Sequence, residues 1–279
     1  MVERDPYDSN RNWTTDVNAV LECLHNRQEI TAISCMSSGC DTWVGVLSYS
    51  CYSEDRVLKI TTFGDVRKEV SIMERVRGLI PVPIVYEHGE SIGLQYILME
   101  MIQNSVMLSD FNGQIKPSVM SQMKKYISLM RSLPPPPGNK GDYIEHYLHV
   151  FYANSPYDGP ENLVESIVLG STGEKVSVPK LEHSKLVLSH CDLWPENVMV
   201  SMDGTTVTSI IDWQLAGYYP DFYEHFKYRF VAIMEKQETA LAEWIDMFST
   251  PETALLKKYE NMTYDGVKRR WARHRAEHP

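Results

Sequence analysis

His190-Cys191-Asp192-Leu193-Trp194-Pro195-Glu196-Asn197-Val198-Met199-Val200, running on through Ser201-Met202-Asp203-Gly204 to Val207-Thr208-Ser209-Ile210-Ile211-Asp212-Trp213, is the stretch around which the chain is organised. Asp203-Gly204 between two apolar runs signals a tight hairpin. With those two residues as the turn, Met202 faces Thr205, and counting outward sets Asn197 opposite Ile210. Asp212 then lies roughly 7 Å from that pair along the diagonal. An amide and a carboxylate so placed at the open end of one hairpin suit Mg²⁺, which keeps several waters and takes only one or two protein carboxylates. Asp192 lies on the loop entering the hairpin, five residues before Asn197, where it can take up or orient the proton of an attacking hydroxyl.

A metal bridging phosphates and a carboxylate beside the nucleophile are what phosphoryl transfer needs. The order His-x-Asp-x-x-x-x-Asn, strand, turn, strand, Asp is the catalytic-loop signature of kinases. Within it, His190 reads as a hydrogen-bonding support of the catalytic loop, Cys191 as a filler and Asp203 as a turn residue. An isolated Asp-x-x-x-x-Asn would signify only turn chemistry; the surrounding pattern gives this one weight.

Such a fold also requires a strand lysine to neutralise phosphate charge and a helix glutamate to orient it. Val57-Leu58-Lys59-Ile60 supplies the lysine within an apolar run. Glu69 follows ten residues later, with Ile72, Met73 and Val76 at i+3, i+4 and i+7, so it shares the core-facing side of a helix predicted over Asp65 to Arg77. An unpaired carboxylate there would be costly, and Lys59 is its natural partner. The nucleotide-covering loop falls on Ser37 to Thr42, with Ser38, Gly39 and Thr42 as phosphate contacts through backbone N–H groups and hydroxyls. Glu100-Met101-Ile102, at the end of a strand signal over Ile92 to Ile102, is placed to bond an adenine-like base.

Around these residues the pattern predicts an α+β chain: a small antiparallel-sheet N-lobe over residues 1–103 and a larger, mostly helical C-lobe over 104–279. Val17, Val20, Leu21 and Leu24 mark a first helix, and Ile30 to Met36, Trp43 to Tyr49 and Arg56 to Thr62 a strand meander. A helix over Pro117 to Leu133 stops at the four prolines 134–137. Residues 138–180 mix helix and loop signals.

The 279 residues are 43% hydrophobic and 23% charged, as in an ordinary globular protein. A net charge of −10 argues against nucleic acid as a partner. Five cysteines without a Cys-x-x-Cys pair indicate neither a disulfide framework nor a zinc site. The start lacks a signal-peptide pattern, and no apolar run is long enough to cross a membrane, so no membrane association and a cytoplasmic location are expected. Oligomeric state has no signature in the sequence.

His190 to Asn197, together with Ile210-Ile211-Asp212-Trp213-Gln214-Leu215-Ala216-Gly217-Tyr218-Tyr219-Pro220, strongly resembles the aminoglycoside phosphotransferase and choline kinase superfamily, and most of all a large fungal branch of it. Val82 to Tyr86, Tyr96 to Glu100 and Arg131 to Pro134 also look like its landmarks, so the resemblance spans roughly residues 30 to 230. It implies a bilobal protein-kinase-like fold with ATP (or GTP) between the lobes. It further implies Asp192 as base, Asn197 and Asp212 as Mg²⁺ ligands and Lys59 paired with Glu69. The implied reaction is transfer of the γ-phosphate to a hydroxyl of a small molecule. Two features depart from the pattern: Gln214 stands where relatives often carry Glu, and the phosphate loop is poor in glycine.

Acceptors in such enzymes sit against the helical lobe. Trp213, Tyr218, Asp221, Tyr223 and Glu224 could enclose a cationic acceptor by charge and cation–π contact; equally, Asp221 caps an ordinary helix. A second candidate wall runs from Tyr143 to Tyr157. The alternative overall is a non-catalytic nucleotide- or ligand-binding protein on the same fold. A protein kinase is disfavoured, because no Asp-Phe-Gly and no activation segment follow Asp212.

Overall fold

The structure of the protein, a computed structural model, describes residues 13–39, 41–112, 114–139, 141, 159–234, 237 and 239–277. The wall read over Tyr143 to Tyr157 lies outside them. The chain divides into two compact units, residues 1–119 with 192–215, and residues 120–191 with 216–279.

The first unit begins with α1 (Trp13–Leu21) and continues into a meander of β1 (Ile30–Ser38), β2 (Thr42–Tyr49) and β3 (Arg56–Thr61). Then come α2 (Val66–Val76) and the hairpin of β4 (Val85–Ser91) with β5 (Leu94–Glu100). The five strands form one antiparallel sheet in the order β1-β2-β3-β5-β4. The strand signal over Ile92 to Ile102 thus begins in a turn: Ile92 and Gly93 both take left-handed backbone, at φ 50° and 78°. The sequence reading missed β4, which ends just before that turn.

Because side chains alternate across a strand, Leu58 and Ile60 face one side of the sheet and Lys59 the other. Leu58 and Ile60 join Trp13, Val17, Val20 and Leu21 of α1 in one core cluster. On the opposite side Val66 and Val70 of α2 pack with Ile97. The helix starts where Asp65 accepts hydrogen bonds from the N–H groups of Arg67 (2.9 Å) and Lys68 (3.3 Å). Its apolar stripe carries Glu69 inward, toward the face that bears Lys59.

Also in the first unit, β6 (Ser105–Met107) pairs with β8 (Val198–Ser201), and β8 with β9 (Val207–Ile210). Gly204 closes the β8–β9 turn at φ 66°, and a Cβ there would stand 2.2 Å from the Phe111 ring. Val200 pairs with Val207 as the turn count requires, but an irregularity between Met199 and Val200 shifts the rest by one. Val198, not Asn197, therefore faces Ile210. The carbonyl of Asn197 instead accepts the N–H of Ile211 at 3.0 Å, next to Asp212.

The second unit contains most of α3 (Pro117–Arg131), then α4 (Pro160–Thr172), the antiparallel pair β7 (Leu186–Ser189) and β10 (Gly217–Pro220), α5 (Tyr223–Met234), α6 (Ala242–Asp246) and α7 (Thr253–Glu277). Phe222, Phe226, Tyr228, Phe230, Trp244 and Phe248 are almost wholly buried. No helix among the described residues is long and apolar enough to cross a membrane.

Candidate active site

Lys59 is the centre of the arrangement. Its neighbours across the ladder, Val44 and Ile97, hold it mid-sheet, and only 4% of it is exposed. Its Nζ lies 3.0 Å from Glu69 Oε1, 3.3 Å from Glu69 Oε2 and 2.8 Å from Asp212 Oδ1. Burial pulls the Lys59 pKa down, but Glu69 and Asp212 together outweigh it and leave it raised, so the ammonium stays charged. Burial pushes the Glu69 carboxyl up, against the pull of Lys59. The sequence reading paired Lys59 with Glu69 and had no signal for the third member, since Asp212 lies 153 residues away.

The three residues Asp212, Trp213 and Gln214 each hold a different piece of the β3–α2 segment. Asp212 takes Lys59 of β3. The Trp213 backbone N–H bonds the Glu69 carboxylate of α2. The Gln214 side-chain amide donates to the Phe63 carbonyl of the connector at 2.9 Å. Asp212 itself sits at φ 60°, an uncommon conformation for a residue with a Cβ and one found at functional sites. Its side chain is 44% exposed, in contrast to Glu69 at 3%.

Asn197 ends a short 3₁₀ turn, Pro195–Asn197, that leads into β8. Its Nδ2 donates to the Asp192 carbonyl (2.7 Å) and to Asp192 Oδ2 (2.9 Å). The base candidate and the amide candidate are thus in direct contact. With its nitrogen turned to Asp192, the amide presents its oxygen, the atom a hard cation uses, on the other side.

The peptide before Asp192 is held by α5. Glu224 Oε1 accepts the N–H groups of His190 (3.0 Å) and Cys191 (2.9 Å) and the Tyr228 hydroxyl (3.2 Å). Lys227, three residues on, donates to the Cys191 carbonyl. Both sides of the Cys191 residue, which has φ 62°, are therefore gripped from one helix. Glu224 and the His190 residue are wholly buried. Arg131 stands 3.8 Å from Glu224 Oε2, near enough to offset the buried charge.

The acceptor wall read over Trp213 to Glu224 turns out to be interior. Trp213, Tyr218, Tyr223 and Glu224 are at most 4% exposed. Trp213 Nε1 bonds the Ile210 carbonyl (2.9 Å), and the Tyr218 hydroxyl bonds that of Pro134 (3.0 Å). Tyr223 stacks on Tyr219 at 5.0 Å between centroids. Asp221 accepts the Ser184 hydroxyl at 3.3 Å, and burial pushes its carboxyl pKa up. Trp213, Tyr218, Tyr223 and Glu224 are thus buried with partners inside the protein, and Asp221 is half-buried.

At the β1–β2 turn, Ser38 pairs with Trp43, and the Gly39 N–H bonds the Thr42 carbonyl at 2.8 Å. Trp13 Nε1 holds the Gly39 carbonyl at 2.8 Å. The Gly39 N–H is thus occupied within the turn, and the Thr42 hydroxyl stands 3.5 Å from that of Thr61. Glu100 bonds the Ile84 backbone by its N–H (2.8 Å) and its carboxylate (3.0 Å). Met101 and Ile102 follow beyond the ladder, half-buried.

Compared with known protein families, residues 50–256 match the phosphotransferase enzyme family. The chain belongs to that family. This phosphotransferase-family chain also resembles solved structures, at identities that establish the fold alone. Aminoglycoside phosphotransferase APH(4)-Ia matches at 15% identity over 95% of this chain and 97% of that one, with a TM-score of 0.59. A thermostable mutant of it, a ternary complex with AMP-PNP and hygromycin B, matches at 17% over the same shares, with a TM-score of 0.56. Spectinomycin phosphotransferase APH(9)-Ia, with ADP and spectinomycin, matches at 15% over 90% and 86%, with a TM-score of 0.56. No curated protein matches by sequence. The fold is therefore kinase-like and of the α+β class, as read from residues 190–213.

Proposed function

We propose that this phosphotransferase-family chain is a small-molecule kinase that moves the γ-phosphate of ATP or GTP to a hydroxyl of a small acceptor. The observation that carries the reading is Lys59 held at once by Glu69 and Asp212. A lysine kept charged in a buried setting is suited to phosphate oxygens, and a half-exposed carboxylate beside it to a cation. The solved relatives in complex with AMP-PNP or ADP support a nucleotide as donor.

The residues present fit Mg²⁺: one half-exposed carboxylate and one amide whose nitrogen is already engaged, both oxygen donors. Asn197 and Asp212 would hold it, and when bound it would supply positive charge to offset that of the phosphates. Asp192 orients the acceptor hydroxyl and receives its proton on a carboxylate oxygen. Asn197, by its bond to Asp192 Oδ2, keeps that carboxylate in one rotamer. Lys59 binds phosphate, and Glu69 fixes where its ammonium points. Ser38 and Thr42 cover the phosphates, and the backbone of Met101 and Ile102 meets the base. Residues 1–103 supply the nucleotide-covering part and 104–279 the catalytic and acceptor part. The acceptor is a hydroxyl compound, a cationic one among the candidates, and the enzyme works in the cytoplasm.

The test is ADP release with MgATP over a panel of aminoglycosides, amino alcohols and sugars, in wild type and Asp192→Ala. An acceptor that stimulates release from wild type only, with nucleotide affinity unchanged in the variant, is expected. Nucleotide binding without release for any acceptor would favour a non-catalytic binding protein, consistent with the occupied Gly39 N–H.

A further inference from the structure

Gln214 departs from the family pattern that the sequence resembles, and the structure supplies a reason for an amide at this position. Its Nε2 faces the Phe63 carbonyl at 2.9 Å. A carbonyl oxygen only accepts, so the atom opposite it must carry a hydrogen. A glutamine amide meets that demand, whereas an ionised carboxylate would set two acceptors against each other.

The connector that Gln214 grips is built for a fixed position. Gly64 adopts φ 85°, and a Cβ on it would stand 3.0 Å from Gln214 Nε2 and 3.1 Å from its Cγ. From the other side Gln95 donates to the Gly64 carbonyl (2.8 Å) and accepts the Val66 N–H (2.9 Å). Two residues on from Gly64 begins α2, which carries Glu69 to Lys59.

We propose that Gln214 is a positioning residue: its amide tethers the β3–α2 connector so that Glu69 and Lys59 stay engaged with the Asp212 loop. The tether deepens the kinase reading, because its effect on nucleotide affinity passes through Lys59.

The experiment compares wild type, Gln214→Glu and Gln214→Ala by MgATP calorimetry at pH 7.5, with amide hydrogen exchange over residues 61–76 and over the rest of the first unit. Expected at pH 7.5 is a loss of affinity of about tenfold in both variants, with faster exchange in the connector. Exchange elsewhere in the first unit stays at the wild-type level in both variants, which separates a local tether from a general loss of stability. Wild-type affinity and exchange in Gln214→Glu, or faster exchange spread evenly over the whole first unit, overturns the proposal. If wild type binds no nucleotide, the kinase reading fails alone, and the exchange rates still decide the tether.

Discussion

Lys59 Nζ and Asp212 Oδ1 stand 2.8 Å apart across 153 residues of sequence, and the same ammonium is 3.0 Å from Glu69. One cation thereby ties the sheet, α2 and the segment after β9 together. Removing it strands a carboxylate that is 3% exposed, at a cost of about 3–5 kcal/mol. Lys59→Met is expected to lower urea-unfolding stability by that order. Lys59→Met with Glu69→Leu should recover most of the stability and none of the phosphate affinity. Equal stability of the single and double variants would show that Glu69 does not depend on this lysine.

The grip of α5 on the Cys191 peptide implies a similar separation of effects. Glu224→Ala leaves two buried N–H groups without their acceptor, a loss of about 2–4 kcal/mol. Cys191 has left-handed backbone, which costs an L-residue roughly 1–2 kcal/mol and glycine nothing. Cys191→Gly should therefore be neutral or slightly stabilising in thermal melts, and Cys191→Val clearly destabilising. Identical effects of the two would argue against the left-handed conformation.

The β8–β9 turn has a pH signature. Hydrogen bonds from the Ser201 hydroxyl and then from Thr205 hold the Asp203 carboxyl down at about 2. The ordinary value is near 3.9, so the folded state binds the proton less readily than the unfolded one. The contribution is complete above about pH 4 and is lost as pH falls toward 2. NMR titration of the Asp203 carboxyl should show a midpoint near 2, and an ordinary midpoint would mean the turn bonds are absent in solution. Gly204→Ala should loosen the same turn by driving Phe111 aside.

How much of this was legible varied with the physics of each feature. The Lys59–Glu69 pairing could be read because helix spacing set Glu69 on the apolar face, and a buried acid needs a cation. The hairpin was visible in Asp203-Gly204, but its register was read one residue off. A bulge inserts a residue without leaving a composition signal, and Thr208 looks like any strand residue. Glu224 was read as an acceptor contact because acid beside tyrosine suggests a cation site. Its setting among Phe222, Tyr223, Phe226 and Tyr228 was the overlooked signal: a carboxylate in an aromatic helix is one already committed to internal donors. The bonds of Asp212, Trp213 and Gln214 to β3, α2 and their connector join distant segments, and no local pattern encodes them.

Calorimetric titration of ATP and GTP into wild type and Asp212→Ala, with and without Mg²⁺, tests the central claim most directly. The expected result is Mg²⁺-dependent binding to wild type that the substitution weakens by tenfold or more. Binding of neither nucleotide by the folded wild type, or binding that ignores both Mg²⁺ and Asp212, would contradict it.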